Sequence, residues 1–391
     1  MRVVFIIQGE GRGHLTQAIS LYEQLAKEGH QVVGALVGQN TVGNIDFLED
    51  QFPVPLHYFV SPGLVYNPDA KGVNLLRTIT QNLKNVKVYL KSIKDIQARV
   101  AELKPDLVVN FYEVLAALAI GRLRNRAYPL VSVAHQYQLL QANFPFPKGR
   151  GLDRFLVKLH TRITALGSNQ ILGLSWFRNQ DAGKIISVPP LIREAVMSHV
   201  AGKENYFLAY LTNECMLPDL INWSFEHPEQ EIHCFYKHQH EQDVYQINPK
   251  LFVHRPHPVK YLRLMANCKG LVTTAGFESV AEALYFDKPL LMIPVKGHYE
   301  QMCNAAEAVS ANLAITAASF DLDDFKTYAS LKPDNAHTFQ TWLHAPEVAH
   351  VKVLEKISEM YTQKLPLRGM ISSKEYYQRI KNTASKLESA L

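Results

Sequence analysis

Short apolar runs alternate with longer amphipathic stretches along the first half of the chain. The runs have the length of strands, and the stretches between them space their apolar residues as helices do. Strands that alternate with helices predict a parallel sheet that is covered on both faces. The strands predicted here are residues 3–8, 31–37, 56–60, 107–111, 130–134, 171–174 and 185–188, and the helical stretches include 14–28, 73–103, one through Arg124 and one from about Asp153.

The same alternation restarts after an interruption at Pro189-Pro190 and the polar stretch 202–205. Two copies of the pattern in a chain of 391 residues fit two domains. We therefore predict an α/β protein with two Rossmann-like, doubly wound domains that face each other across a cleft. The expected domain bounds are 1–190 and 203–345, and it is left open whether the helical tail over 346–391 packs back on the first domain. The second set of predicted strands is 207–211, 231–236, 252–253, 271–274, 290–294 and 313–315.

Composition excludes several other classes of protein. The longest apolar runs, such as 114–120, are far shorter than the roughly 20 residues that cross a bilayer. The first residues resemble a strand that leads into glycines rather than a signal peptide, so we expect a cytoplasmic protein that begins at residue 1. No metal-binding spacing occurs, and we expect no metal site and no cofactor. The scattered cysteines are expected to be reduced thiols: Cys215, Cys234, Cys268 and Cys303.

Positive charge is concentrated in one segment. The formal net charge is only +5, but residues 148–193 carry eight basic side chains against two acidic ones. Phe144, Phe146 and Phe155 lie in or beside this segment. Two interpretations stand, a solvated helix face or a surface that contacts an anionic substrate or the inner face of a membrane. No fold signature of nucleic-acid recognition is present, so we expect no nucleic-acid partner.

A glycine-rich loop follows the first predicted strand and opens a helix. Gly9, Gly11 and Gly13 allow the backbone to approach a ligand at the positive end of that helix. A dinucleotide site would need a third glycine where His14 stands and an acidic residue after the second strand, and residues 37–40 lack one. The helix dipole favours a neutral imidazole at His14, which suits a general base. The alternative is that His14 only caps or packs beside the loop.

A second motif has the order strand, tight turn and helix over residues 271–283. With the segments that follow it, the motif resembles the donor-sugar site of the inverting two-domain (GT-B) glycosyltransferases. That superfamily includes UDP-glycosyltransferases for small molecules and the peptidoglycan N-acetylglucosaminyltransferase. The residues that carry the resemblance are Gly276, Ser279, Glu282, Lys288-Pro289, Pro294, Glu300-Gln301 and Asn304-Ala305, and the glycine loop with His14 matches the same superfamily.

The resemblance implies a metal-independent transfer from a nucleotide-diphospho-sugar, typically a UDP-sugar, to a hydroxyl acceptor. The helix that begins near Gly276 and the Ser279 hydroxyl would face the diphosphate. Glu282 would bind the ribose hydroxyls, and Glu300 with Gln301 would position the transferred sugar. A lipid-linked or polysaccharide precursor is permitted as the acceptor.

The same resemblance assigns two further parts of the site. The loop around His254-Arg255 would hold the nucleobase through its backbone, and His14 would take the proton from the acceptor hydroxyl. The full predicted donor site is Gly11, Gly13, His254, Arg255, Thr274, Gly276, Phe277, Glu278, Ser279, Glu282, Glu300 and Gln301.

Two positions depart from the family pattern. Small-molecule relatives carry His and Asn, both touching phosphate, where this chain has Thr274 and Glu278. A carboxylate that faces a diphosphate is repelled by it, so we expect Glu278 to point away from the diphosphate or to interact favourably with the helix dipole.

The spacing of glutamates favours inversion. Retaining members carry two glutamates eight positions apart, whereas the residue eight positions before Glu282 in this chain is Thr274.

Three further groups have paired interpretations. A general base usually needs an orienting carboxylate, and Glu113 is the candidate partner of His14, although an acid at a helix start is an equal alternative. His135 and Gln136 end a predicted strand and line the acceptor side, unless they are a buried polar pair. Asp321 and Asp323 match a metal-binding DxD pattern, but their place before a predicted helix favours capping.

Two rival functions remain. A sugar-nucleotide 2-epimerase, such as one acting on UDP-N-acetylglucosamine, shares this architecture but needs no acceptor. A non-enzymatic module could bind nucleic acid or anionic lipid through the basic segment.

Overall fold

The computed structural model describes residues 1–40, 46–63, 75–123, 125–212, 216–331 and 336–370, and it contains two seven-stranded sheets. The strands of the first sheet are β1 (Arg2–Gln8), β2 (Gln31–Gln39), β3 (Leu56–Val60), β4 (Leu107–Phe111), β5 (Leu130–Ala134), β6 (Gln170–Leu174) and β7 (Ile185–Val188). Their order is β3-β2-β1-β4-β5-β6-β7, and every pair is parallel. The direction of the strand order reverses between β1 and β4, which is where such sheets bind ligands.

The second sheet repeats this plan. Its strands are β8 (Tyr206–Tyr210), β9 (Glu231–Phe235), β10 (Val244–Asn248), β11 (Leu251–His254), β12 (Gly270–Thr273), β13 (Leu290–Met292) and β14 (Ile315–Thr316). The order is β10-β11-β9-β8-β12-β13-β14, with β10 antiparallel to β11 and the other pairs parallel. The predicted fold class, two facing doubly wound domains, is confirmed; the edge strand β10 was not predicted.

Helices cover both sheets. They are α1 (Gly13–Lys27), α2 (Asp46–Gln51), α3 (Leu75–Lys84), α4 (Val86–Leu103), α5 (Val114–Ala119), α6 (Gly151–Thr164), α7 (Glu194–Met197), α8 (Leu217–Glu226), α9 (Pro258–Asn267), α10 (Phe277–Tyr285), α11 (Tyr299–Ser310), α12 (Asp323–Leu331), α13 (Ala336–Leu343) and α14 (His350–Met370). The predicted stretch 73–103 divides into two helices at Asn85, and α5 ends before Arg124, which lies outside the described residues. None of the described helices is both long and apolar enough to cross a lipid bilayer.

Burial explains why the central strands are mostly apolar. The side chains from Val3 to Ile7 on β1 are fully buried, and so are those along β4 and β5. Helices on both faces remove these strands from water, so neither face needs polar residues. Cys234, Cys268 and Cys303 are buried free thiols, as expected, while Cys215 lies outside the described residues.

The C-terminal helix α14 contacts the first half of the chain. His350 Nε2 lies 2.9 Å from the carbonyl of Pro189, and the Tyr361 hydroxyl donates to the carbonyl of Arg126 at 2.9 Å. Glu355 pairs with His30 at 2.9 Å. Residues 371–391 of the predicted tail lie outside the described part of the chain, and the predicted domain bounds stay a prediction.

Candidate active site

A cavity of about 1490 Å³ lies where the carboxyl ends of the two sheets face each other. Its walls are formed by the loops and helix starts that follow strands of both sheets. Most of the predicted site residues line it: Gly11, Gly13, His14, Glu113, His135, Gln136, Gly276, Phe277, Glu278, Ser279, Glu282, Glu300 and Gln301. Predictions made from separate parts of the sequence therefore converge on one cleft.

The glycine loop and α1 form one wall. A Cβ at Gly9 would come within 2.6 Å of the Gly38 carbonyl oxygen, so only glycine fits where the loop begins beside β2. His14, in the first turn of α1, is 9% exposed, and its ring stacks on Tyr112 at 5.4 Å. Burial lowers the pKa of His14 below its usual 6.5, while the charge of Glu300 and the hydrogen bond with Gln17 oppose this shift. The imidazole is therefore neutral at pH 7.

The facing wall is the start of α10. Ala275, at φ 63°, turns the chain after β12, and Asn304 Nδ2 donates to its carbonyl at 3.0 Å. The N-cap residue is Gly276, which has no side chain with which to satisfy the first N–H groups of the helix. A Cβ added there would meet nothing within 4 Å, so this helix end opens on the cavity. Unpaired N–H groups and the helix dipole make such an end suited to bind an anion.

Aromatic rings from the first half hold α10 in place. Phe277 stacks on His135 with ring centroids 4.0 Å apart, and on Trp176 at 5.0 Å. Trp176 Nε1 donates to the Phe277 carbonyl at 3.3 Å. The helix start is thus fixed by residues of the opposite domain.

The two glutamates of α10 have different partners. Glu278 Oε1 accepts a hydrogen bond from Gln17 Nε2 at 2.7 Å, and burial raises the pKa of Glu278 to about 8. Glu278 was expected to avoid the diphosphate side; it reaches towards α1 and also lines the cavity. Arg193 gives two N–H groups to Glu282 Oε1, at 3.2 and 2.5 Å. This buried pair joins the segment after β7 to the second domain.

The predicted sugar and acceptor residues contact one another across the cleft. Gln136 Nε2 donates to Glu300 Oε1 at 2.9 Å. Although burial disfavours the imidazolium, the nearby Glu307 carboxylate, 2.9 Å from Nε2, raises the pKa of His135. Gln301 Oε1 accepts from the backbone N–H of Val295 at 2.8 Å, which fixes the loop that precedes α11.

The structure places Glu113 as an acid at the start of α5, one of the two interpretations drawn from its position, and not as the partner of His14. Its Oε1 accepts from the Ser61 hydroxyl at 2.6 Å and from the Leu115 N–H at 2.9 Å, so the carboxylate caps α5. Burial raises the pKa of Glu113 to about 7. The partner of His14 Nδ1 is instead Gln17 Oε1, at 3.2 Å.

Three predicted donor residues lie outside the cavity lining. His254 Nε2 is 2.8 Å from His233 Nδ1, and Arg255 pairs with Asp243 at 2.8 Å. The Thr274 hydroxyl bonds to that of Thr212 at 3.1 Å. The strand β11 continues through His254, so the turn that reaches the cavity comes two residues later, at residues 256–258.

Gln17, Tyr112, His160 and Arg193 also line the cavity, and sequence reasoning did not identify them. In the sequence, Gln17 and His160 look like polar positions on amphipathic helices, and Arg193 looks like one more cation of the basic segment. The DxD pair behaves as a cap, as expected, because Asp321 Oδ1 accepts from the Asp323 N–H at 3.0 Å where α12 begins.

A comparison with protein families settles the class. The family model described as glycosyl transferase family 1 matches residues 1–332. The chain belongs to glycosyl transferase family 1. The resemblance drawn from the second motif is confirmed, and this glycosyltransferase is an enzyme with the GT-B architecture.

Curated relatives agree with the family. The glycosyltransferase is 22% identical to an uncharacterized glycosyltransferase of Methanosarcina mazei, with 78% of this chain and 83% of that protein covered. It is 23% identical to the UDP-N-acetylglucosamine–N-acetylmuramyl-(pentapeptide) pyrophosphoryl-undecaprenol N-acetylglucosamine transferase of Fusobacterium nucleatum, with 83% and 87% covered.

Solved structures share the fold at low sequence identity. Arabidopsis thaliana UGT89C1 complexed with quercetin aligns with a TM-score of 0.62 at 14% identity, covering 92% of this chain and 99% of that one. LpCGTa in complex with UDP aligns with a TM-score of 0.60 at 13% identity, covering 95% and 100%. VinC in complex with dTDP aligns with a TM-score of 0.57 at 14% identity, covering 92% and 100%.

Proposed function

We propose that this glycosyltransferase moves a sugar, with inversion at the anomeric carbon, from a nucleotide-diphospho-sugar to an acceptor hydroxyl. The donor is a UDP-sugar, and the transfer requires no metal. One observation carries the proposal. A neutral, buried histidine at the start of α1 and an uncapped helix end at Gly276 line the same cavity from opposite domains.

The second domain supplies the donor site. The first N–H groups of α10 and the Ser279 hydroxyl receive the diphosphate and stabilise its charge as it leaves. Glu282, fixed on one oxygen by Arg193, keeps its other oxygen for the ribose hydroxyls. Glu300 and Gln301 line the cavity on the next helix and position the hydroxyls of the transferred sugar.

The first domain supplies the base. His14 is held neutral by burial, so it can accept the proton of an acceptor hydroxyl at physiological pH. Its Nδ1 is taken by Gln17, which leaves Nε2 for the acceptor. Because the base and the diphosphate lie on opposite walls, the acceptor oxygen attacks the anomeric carbon from the face opposite the leaving group, which inverts the configuration.

The test offers a panel of sugar nucleotides to purified protein and to His14→Asn. The wild type should gain thermal stability with at least one donor and should transfer the sugar to added acceptors. H14N should bind that donor with unchanged affinity and lose about 100-fold or more in turnover. Neither stabilisation nor turnover with any donor would refute the proposal. Conversion of UDP-N-acetylglucosamine to its 2-epimer without an acceptor would instead establish the rival epimerase.

A membrane surface is the proposed source of the acceptor. Helix α6 turns Leu156, Val157 and His160 to the cavity, and an adjacent face exposes Leu152 (67%), Phe155 (59%) and Leu159 (41%). Arg154, Lys158 and Arg162 follow one another at four-residue spacing along the other side of this apolar ridge. A helix with exposed apolar residues flanked by cations is suited to bind anionic lipid.

The basic segment as a whole does not form one patch. Arg193 is buried against Glu282, and Arg178 pairs with Glu347 at 2.9 Å. The proposed membrane contact is therefore α6 rather than residues 148–193. The triple variant L152S/F155S/L159S should lose binding to vesicles containing anionic lipid, while Phe225→Ser, which removes a comparably exposed ring from the second domain, should not. Equal vesicle binding by both variants would refute this contact.

A further inference from the structure

Three polar side chains form a continuous hydrogen-bonded line across the cleft. His14 Nδ1 lies 3.2 Å from Gln17 Oε1, and Gln17 Nε2 donates to Glu278 Oε1 at 2.7 Å. His14 and Gln17 belong to α1 in the first domain, whereas Glu278 belongs to α10 in the second. The line therefore ends on a residue of the opposite domain.

The orientation of the Gln17 amide sets the direction of each hydrogen bond. Its nitrogen donates to Glu278 Oε1, which accepts whether the other carboxyl oxygen is charged or protonated, and its oxygen faces His14 Nδ1. An oxygen beside Nδ1 requires the proton on Nδ1. The lone pair of the imidazole is then on Nε2, which is the form that a base needs.

Burial makes this arrangement costly to change. Gln17 is 2% exposed. If its amide were turned round, the amide oxygen would face Glu278 Oε1, and no water could replace the lost hydrogen bond. Tyr112 stacks on the imidazole of His14 and limits its rotation. Glu113, the candidate partner of His14 in the sequence, accepts hydrogen bonds from Ser61 and the start of α5.

We propose that Gln17 and Glu278 are positioning residues for His14, with Glu278 acting through Gln17 from the opposite domain. His14 then holds its proton on Nδ1 only when α1 and α10 are packed together. The donor-binding domain therefore controls whether His14 can act as a base. This inference rests on the proposed function in taking His14 as the base.

The experiment combines a structural readout with kinetics. The ¹⁵N chemical shifts of His14, assigned with H14N, report its tautomer in the unliganded protein. The variants are Gln17→Leu, Glu278→Leu and the conservative Glu278→Gln, in which the amide oxygen still accepts from Gln17. Gln24→Leu is the matched control, because it makes the same substitution two turns further along α1, beside His350.

The wild type, E278Q and Q24L should show the Nδ1–H tautomer. Q17L and E278L should show a mixture of tautomers and a kcat lower by about 10- to 100-fold. Q17L should change the KM for the donor by less than about threefold, and E278Q should restore the kcat that E278L loses. If Q17L fails to fold, the comparison of E278L with E278Q decides.

An unchanged tautomer in both leucine variants, or a kcat equal to that of Q24L, would overturn the proposal. The two levels of inference can fail separately. A tautomer that responds as expected in a protein without transferase activity would refute only the proposed function. Sugar transfer by a protein whose His14 tautomer is insensitive to both variants would refute only the positioning role.

Discussion

The turn between β4 and α5 in the first domain has a counterpart between β12 and α10 in the second. Each strand lies beside the first strand of its sheet, β4 next to β1 and β12 next to β8. Each turn places one residue in the left-handed region directly before the N-cap, Tyr112 at φ 59° and Ala275 at φ 63°. The two turns therefore have a similar backbone conformation before the helix.

The N-cap residues differ, and the difference indicates that one turn stabilises the fold while the other is open to a ligand. Glu113 closes the start of α5 with its own carboxylate, which accepts from the Leu115 N–H at 2.9 Å. Gly276 leaves the start of α10 open, although its φ of −74° and ψ of 136° suit any residue. A glycine that neither backbone nor neighbours require is expected where a ligand approaches the chain closely.

The largest expected effect comes from adding a capping side chain at Gly276. Gly276→Asp places a capping carboxylate where the diphosphate should bind, and it should weaken donor affinity by about 100-fold, measured by calorimetry. The melting temperature should not fall, because an aspartate N-cap stabilises a helix. Gly276→Ala is the control and should bind the donor far better than G276D. Equal affinities in the two variants would show that this helix end is not the anion site.

Removing the capping side chain of Glu113 should have a different and smaller effect. Glu113→Ala removes the cap of α5 and the acceptor of the Ser61 hydroxyl, so it should lower the free energy of unfolding by about 1–2 kcal/mol in chemical denaturation. Donor affinity should change by less than about twofold. A large loss of donor affinity in E113A would mean that both turns serve the ligand.

The smallest effect concerns pH. The groups that face Glu278 are Gln17 on α1, Glu282 on α10 and Arg193. Because burial raises the pKa of Glu278 to about 8, its carboxyl group is mostly neutral at pH 7 and becomes charged as the pH rises through 8. Donor affinity of the wild type should fall a few-fold between pH 7 and 9, and that of Glu278→Gln should not. Parallel pH profiles of the two proteins would contradict this assignment.

The architecture could be predicted, and most of the predicted site residues line the cavity, because both depend on local signals. Fully buried parallel strands leave apolar runs, and helix starts at a ligand site leave glycines beside polar residues. The edge strand β10 was missed because its burial is only partial and its pairing is set by the adjacent β11.

The missed contacts depend on partners far apart in the chain. Gln17 and Glu278 are separated by 261 positions, and Arg193 and Glu282 by 89. Neither residue of such a pair carries a local pattern that indicates the other. The place of Glu113 after β4 left two interpretations open, a partner of His14 or an acid at a helix start, and only the fold shows that it accepts from Ser61 and caps α5.

The most direct test of the account is a crystal structure of the protein with UDP. We predict that the diphosphate oxygens accept hydrogen bonds from the first N–H groups of α10 and from the Ser279 hydroxyl, with His14 on the opposite wall of the same cavity. A diphosphate bound at the start of α1, or outside this cavity, would contradict the account.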